Sequence, residues 1–428
     1  MIIVVLAFLV LMALGVPIVL ALGSPVALYI LISGDVPIVV IAHRFYSGLN
    51  NFTLLAIPFF VLAGLLMEAG GLSRRIVDFA SSLVGWIQGG LLMVAVVAST
   101  ALAAMSGSGS ADAAAVSAVL QPELRRRHYE IDFAAALIAA SATLAQIIPP
   151  SLMLVIIAIQ NNLSVGALFL GGVLPGLIAC VLLMVVAFLH ARTRPELAAS
   201  LETFSLRRVA ASFVRAIPAM GLGVVILGGI IGGFMTPTEA AGVAVVYATA
   251  IGFLVYRELR LAELPRLLTR AAYFSAGLLL LVAAANVLNW LVTTSGDLER
   301  LAGALGAVLQ TKLTFLLGVN VVLMLLGMFI EGIALILLLG GLLIELGTAL
   351  GIDPHQMALI IVFNCAVGLI TPPFGATLFV TSMVAERPFV AVARRAFMPW
   401  LALTTALAAV SIFPELTLAL PRLSGFLG

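Results

Sequence analysis

The sequence predicts an all-α polytopic membrane protein, built as an inverted repeat with two re-entrant hairpins and two broken helices. Three observations lead there. The 428 residues are 63% hydrophobic and 9% charged, with a mean hydropathy of +1.26, whereas a soluble domain carries about 25% charged residues. Apolar segments long enough to cross ~30 Å of hydrocarbon recur along the whole chain, and they are continuously apolar rather than alternating, which selects helices over a barrel. Gly-Ser and Pro-Pro interruptions then fall at matching places in the two halves.

Residues 1–14 are apolar with no basic stretch before them, so they are read as the start of a first span and not as a cleaved signal peptide. Spans are expected near 2–22, 25–40, 52–70, 131–160, 168–190, 216–234, 239–256, 271–294, 355–385 and 396–420. "GSP" (23–25) and "MTPTE" (235–239) are read as turns between spans. The segments 87–122 and 313–346 are apolar but interrupted in the middle. Of the 21 Lys and Arg residues, all but Arg44, Arg300, Lys312 and Arg422 fall on one side if both interrupted segments enter and leave on the same side. The positive-inside rule makes that side cytoplasmic. The segment 87–122 is then a hairpin from the cytoplasm, 313–346 one from outside, and both chain ends lie in the periplasm. Cys180 and Cys365 lie in apolar runs and read as small buried residues. The four histidines show no metal-ligand spacing.

The halves repeat in order at an offset of about 221–226 residues. "AGGLSRRI" (69–76) echoes "TSGDLERL" (294–301). "EIDFAAALIAASATLAQIIPPSLMLVII" (130–157) echoes "GIDPHQMALIIVFNCAVGLITPPFGATLFV" (351–380). The charge pattern gives the two halves opposite orientation, a mark of secondary transporters.

"SGSGS" (106–110) is read as the tip of the first hairpin and "MFIEG" (328–332) as the tip of the second. "IIPPS" (147–151) and "LITPPFG" (369–375) break the spans that follow. Proline lacks a donor and frees the carbonyl four residues earlier. Such groups are tolerated at membrane depth only where protein or a cavity surrounds them. Two tips and two breaks meeting near the midplane would present oxygens suited to Na⁺, and helix N-termini suited to an anion. Asn364 and Ser141 are equivalent polar positions, lying eight residues before Pro372 and Pro149, the first proline of each pair. Thr371 and Thr377 add oxygens at the second break. Asp112 is read either as a cap of the second hairpin helix or as an ion contact. Glu331, in the centre of an apolar segment, costs roughly 2.5–3.5 kcal/mol to insert and reads as site-supporting. Glu239 reads as a first-turn helix charge, and Glu68 and Glu345 as solvated span ends.

At these residues the chain resembles the large membrane subunit of tripartite ATP-independent periplasmic (TRAP) transporters, the DctM-like family. The resemblance is carried by "NFTLLAIPFFVLAGLLMEAGGLSRRIVDFA" (51–80), "MSGSGSADAAAV" (105–116), "QIIPPSLMLVI" (146–156), "GGFMTPTEAAGVAVVYA" (232–248) and the stretch from "GMFIEG" to "LITPPFG" (327–375). It implies Na⁺-coupled elevator transport of a small organic anion, such as a C4-dicarboxylate, sialic acid or another sugar acid, without ATP. It implies two partners: a small membrane subunit of about four helices, here a separate chain, and a periplasmic substrate-binding protein. It places the chain in the bacterial inner membrane, with the lipid bilayer and no nucleic acid as surroundings. Family ion sites map onto Ser106, Gly107 and Ser108, onto Glu331 and Gly332, and onto Asn364, Gly368 and Thr371. Candidate substrate contacts are Ser108, Ser110, Pro150, Ser151 and Thr377. The family often has Asp at the position of Glu331.

The expected organisation is scaffold helices and a first arm (1–50), a transport unit (51–165), scaffold helices and a second arm (166–270), the second half of the transport unit (271–395) and a C-terminal helix (396–428). The arms are "VVIAHRFYSGLNN" (39–51) and the amphipathic "YRELRLAELPRLLTR" (256–270), each suited to lie in the interface plane. Three other readings compete: a stand-alone Na⁺/dicarboxylate symporter of related architecture, a channel, and an intramembrane hydrolase using a serine of "SGSGS". The last needs a base within hydrogen-bond reach, and no histidine lies inside a span, His190 and His355 falling at expected span ends. No nucleotide-binding motif is present.

Overall fold

Proline and glycine set most helix boundaries in the structure, a computed structural model that describes residues 4, 7, 8, 10, 11, 14–33, 37, 39–194, 203–294 and 311–427. Among them are nineteen α-helices and no strand. The first half holds α1 (Ile18–Ser33), α2 (Val39–Leu49), α3 (Ala56–Ala69), α4 (Leu72–Val84), α5 (Gly90–Ser106), α6 (Gly109–Arg126), α7 (Ile131–Ala142), α8 (Leu152–Gln160) and α9 (Val165–Arg192). The second holds α10 (Leu206–Ile231), α11 (Pro237–Ala250), α12 (Leu264–Thr294), α13 (Lys312–Gly327), α14 (Gly332–Ala349), α15 (Pro354–Gly368), α16 (Ala376–Val384), α17 (Phe389–Arg395), α18 (Phe397–Ile412) and α19 (Glu415–Leu423). "TSGDLERL" lies almost wholly outside the described residues.

Both hairpins and both breaks form where glycine and proline place them. The α5–α6 hairpin turns at Gly107, and α13–α14 turns over Met328–Glu331. The expected span 131–160 is α7, a 3₁₀ turn (Thr143–Gln146), a break and α8; 355–385 is α15, a break and α16. "MTPTE" separates α10 from α11, where Thr236 and Glu239 form a reciprocal capping box with Pro237 in the first turn.

Three expectations need correction. "GSP" is no turn: Gly23, Ser24 and Pro25 lie inside α1, and the chain breaks earlier, at 14–17. Ser24 Oγ donates to Leu20 O at 2.7 Å, and the helix absorbs the missing proline donor. The span expected at 25–40 accordingly ends at Ser33. The second arm is no separate helix, because residues 264–270 are the first two turns of the 31-residue α12. The C-terminal span bends by 62° between α18 and α19, at Phe413 and Pro414.

The helices sort into two packed groups by their partners. In one, α3 lies on α11 and α12 lies on α1 and α2, so each half contributes to the other's wall. In the other, the hairpins enclose the broken helices, and α9 runs along α18 and α19. Helix α4 touches both groups, through α10 and α5. By these contacts α3 and α12 pack mainly with the unbroken helices, and α9 with the broken ones. The middle of the second group is driest. Every residue of α7 from Phe133 to Ala142 is buried, as is every residue of α15 from Gln356 to Gly368. Alanine dominates the α7 stretch, as expected where lipid removes the hydrophobic drive and close backbone approach replaces it, whereas α15 buries mostly larger aliphatic side chains.

A belt of ion pairs joins the halves at the ends of the broken helices. Asp132 receives Arg387 Nε and Nη2 at 2.5 and 2.9 Å. Glu130 meets Arg194 and Arg395, each at 2.5 Å, and Arg125 meets Glu386 at 3.1 Å.

Candidate functional site

Each tip is held against a break by glycine. Gly107 closes α5 at φ +63°, a left-handed conformation that side chains resist. A β carbon there would lie 2.8 Å from Pro150 O and 3.6 Å from Leu152 N, so the first tip rests on the first break. Next to it, Gly109 packs on Ala142 O and Gly64 of α3 packs on Ser106 O. At the second tip, Gly332 packs on Met153 and Cys365, while Gly327 and Gly368 bring their backbones together, with Gly327 O 3.0 Å from a β carbon at Gly368. The start of α8 therefore touches both tips: Leu152 the first, Met153 the second. Cis peptides join Pro149 to Pro150 and Pro372 to Pro373.

Many hydroxyls at the breaks are already engaged. Ser151 Oγ donates to Gln146 O at 2.6 Å and accepts from Leu154 N at 3.3 Å, capping α8. Thr377 Oγ1 donates to Leu369 O (2.8 Å) and Thr371 Oγ1 to Val367 O (2.7 Å). Glu331 caps α14, accepting from Ile333 N at 3.1 Å and Ala334 N at 3.4 Å through one oxygen. Asn364 differs. Its Nδ2 donates to Asn320 O (3.1 Å) and Oδ1 (3.0 Å), but its own Oδ1 is buried without a hydrogen-bond partner. A buried acceptor left open is costly unless something fills it. It lies on α15 one turn before Gly368, at the end where that helix meets the second hairpin. An all-oxygen donor set with one vacant neutral acceptor fits Na⁺. Ser141, the equivalent in the first half, has no such vacancy, since its hydroxyl donates to Leu137 O at 2.8 Å.

A cavity of about 180 Å³ lies between α3, the first tip and the start of α12. Ser106, Ser108 and Ser110 line it together with Glu68, Asp112 and Arg270. Asp112 is no helix cap: α6 begins at Gly109 after Ser108, and the Asp112 carboxyl is buried with Oδ2 lacking a hydrogen-bond partner. Of the five candidate substrate contacts, Ser108 and Ser110 face this cavity. Pro150, Ser151 and Thr377 do not line it; all three are buried at the breaks. The sequence reading undervalued Asp112 and omitted Arg270 and Asn320. Asn320 had a legible signal as the lone amide in the apolar run of α13. Arg270 had none, because its place in the same cavity as Asp112 arises only from packing.

Paired hairpins and paired broken helices, one set from each inverted half, define a secondary-transporter architecture in a multi-span helical membrane protein. The fold resembles that of the Alcanivorax borkumensis YdaH transporter, with a TM-score of 0.55 at 16% identity over 89% of this chain and 88% of that one. Residues 5–416 match the sequence model of the tripartite ATP-independent periplasmic transporter, DctM component. The chain is 39% identical to the C4-dicarboxylate TRAP transporter large permease protein DctM of Pseudomonas aeruginosa, covering 93% of each. It is 37% identical to the sialic acid TRAP large permease SiaM of Vibrio cholerae, over 97% of this chain and 96% of that one. It is 36% identical to the 2,3-diketo-L-gulonate TRAP large permease YiaN of Escherichia coli, over 94% and 95%. The chain belongs to the DctM family: it is a large permease subunit of a tripartite transporter, and not an enzyme.

Proposed function

We propose that this permease imports a small organic acid, handed over by a periplasmic binding protein and driven by a Na⁺ gradient, with a separate small membrane subunit beside it. The observation that carries the coupling is the vacant Asn364 Oδ1 at the meeting of α15 and the second hairpin. Asn364, Gly368 and Thr371, with Glu331 and Gly332 at the tip, would hold one ion; Ser106, Gly107 and Ser108 would hold another. Bound Na⁺ supplies positive charge close to an arriving carboxylate. The organic-acid class is supported by the substrates named for the three relatives above, each of which carries a carboxylate. The serine-lined cavity with Arg270 at its edge suits a hydroxylated acid.

An elevator motion agrees with the packing. The group of hairpins, broken helices, α9, α18 and α19 is tied together by the ion-pair belt and would travel as a body. The group of α1, α3, α10, α11 and α12 would stay fixed. The proposed setting is the inner membrane, with the α9–α10 connection in the cytoplasm and both chain ends in the periplasm.

Reconstitution with both partners tests coupling, using labelled C4-dicarboxylate, sialic acid and 2,3-diketogulonate in parallel. Uptake of at least one should require external Na⁺; equal uptake in K⁺ or choline rejects the coupling. Orientation is read separately from Ser205→Cys, at the exposed start of α10. It should resist impermeant thiol reagents applied from the periplasm, and ready labelling overturns the topology.

A further inference from the structure

A second polar cavity, of about 320 Å³, lies between α4, α10 and the residues that follow α11. It is lined by Arg74, Arg75, Asp78, Ser212, Arg215 and Glu258. Three cations share it with two carboxylates, yet only one pair closes. Arg75 is fully committed: it meets Glu258 at 2.7 Å, donates to Gly71 O at 2.7 Å and lies 3.8 Å over the Tyr256 ring. Tyr256 is fixed in turn by donating to Arg215 O at 2.8 Å. Among the described residues Arg74, Asp78 and Arg215 have no ion-pair partner. Arg215 donates through Nε to Ala211 O at 3.2 Å, which leaves its two terminal nitrogens free. Ser212, buried in the wall, is held by Ser82 Oγ at 2.7 Å.

We propose that this cavity binds the headgroup of a phospholipid carrying a primary amine, of the phosphatidylethanolamine type. Arg74 and Arg215 take the phosphate, for which the guanidinium fork is suited, and Asp78 takes the ammonium, a donor of up to three hydrogen bonds. Two observations favour a lipid over a free phosphate compound. The walls beside the cavity are apolar and outward-facing, with Val214 63%, Ile217 47%, Leu254 72% and Val255 52% exposed, which gives acyl chains a surface to follow. Arg215 also lies about 14 Å along α10 from its first residue, at 1.5 Å per residue, where a helix starting in water passes through the headgroup layer. The presence of Asp78 between two free arginines selects a zwitterionic headgroup over an anionic one. The bound lipid would bridge α4 to α10, and α4 is the helix that touches both packed groups.

The test uses the purified permease with its small subunit, exchanged into nanodiscs of phosphatidylcholine doped with labelled phosphatidylethanolamine or phosphatidylglycerol. Retained lipid is counted by native mass spectrometry, with soluble phosphoethanolamine as competitor. The wild type should retain phosphatidylethanolamine in preference to both other lipids, and the soluble headgroup should not displace it. Arg74→Gln with Arg215→Gln should weaken retention roughly tenfold, the size of one or two charge-assisted contacts. Asp78→Asn should abolish the preference for phosphatidylethanolamine over phosphatidylglycerol while total retention persists. Each variant is compared only as assembled complex, by its elution volume. Undiminished retention in the double arginine variant overturns the site. A wild-type preference for phosphatidylglycerol, or none, overturns the headgroup assignment. Displacement by soluble phosphoethanolamine overturns the lipid.

Discussion

Ile147 to Ser151 lie wholly inside the molecule, whereas Pro372, Pro373 and Phe374, at the equivalent place in the second half, face outward. The motif is the same and the neighbours differ. Helix α9 passes over the first break, where Gly172 lets Ile147 O approach and Gly176 receives Ile148. The first hairpin tip closes the other side through Gly107. At the second break the corresponding helix, α18, packs on α15 and α9, and the exposed Phe374 pairs with the exposed Phe329 of the tip, ring centroids 6.0 Å apart. A repeated motif is thus a repeated backbone, and whether it becomes an interior or a surface depends on what the rest of each half lays over it.

The sharpest way to break this contrast is to crowd both turns. Gly107→Ala puts a β carbon in a left-handed conformation, costing about 1–2 kcal/mol, against a backbone carbonyl that no rotamer change can move. Uptake should fall at least roughly tenfold, equivalent to about 1.4 kcal/mol or more. Gly375→Ala, at φ +35° with the flexible Leu378 as nearest neighbour at 3.1 Å, should cost less. A larger loss at Gly375 would show that the second break, not the first, is the constrained one.

The second prediction concerns the equivalent polar positions. Asn364→Ala removes the vacant oxygen and should raise the Na⁺ concentration for half-maximal uptake about tenfold, as expected for one good ligand. Ser141→Ala, whose hydroxyl is satisfied within its own helix, should leave that concentration unchanged. Equal responses would erase the proposed difference between the halves.

Burial itself can be read by thermal unfolding in detergent. Ile148→Ala should destabilise by about 2–4 kcal/mol, as for other buried aliphatic truncations. Phe374→Ala should change stability by less than about 0.5 kcal/mol, since it is exposed. A large loss at Phe374 would mean that the second break is covered in the folded protein. Arg387→Gln, which breaks the pair with Asp132 at the protein surface, should lower the thermal midpoint only slightly, and by less still at high salt.

Local signals made the hairpins and breaks legible in the sequence, because Gly107 and the Pro-Pro pairs interrupt helices by covalent geometry alone. The same reasoning failed at Pro25, where the surrounding helix tolerates the proline. It also missed the continuity of α12 through residues 264–270, since an amphipathic pattern looks alike in an interface helix and in the first turns of a long one. The site was legible as a set of segments. The meeting of Asp112 and Arg270 in one cavity, the partnership of Asn320 with Asn364 and the allegiance of α9 to the broken helices depend on contacts between distant residues, which composition and spacing do not encode.

The contact between α9 and the first break has a consequence for compliance. Gly172 and Gly176 present bare backbone there, and Gly171 does the same toward Leu359 and Thr417. On the α9 side these contacts have no rotamers to freeze on assembly and none to rearrange under load. That side can neither cushion a displacement nor store one as altered side-chain angles. Any force on α9 would pass undamped into the carbonyl of Ile147 and on to Pro150, where the first hairpin rests.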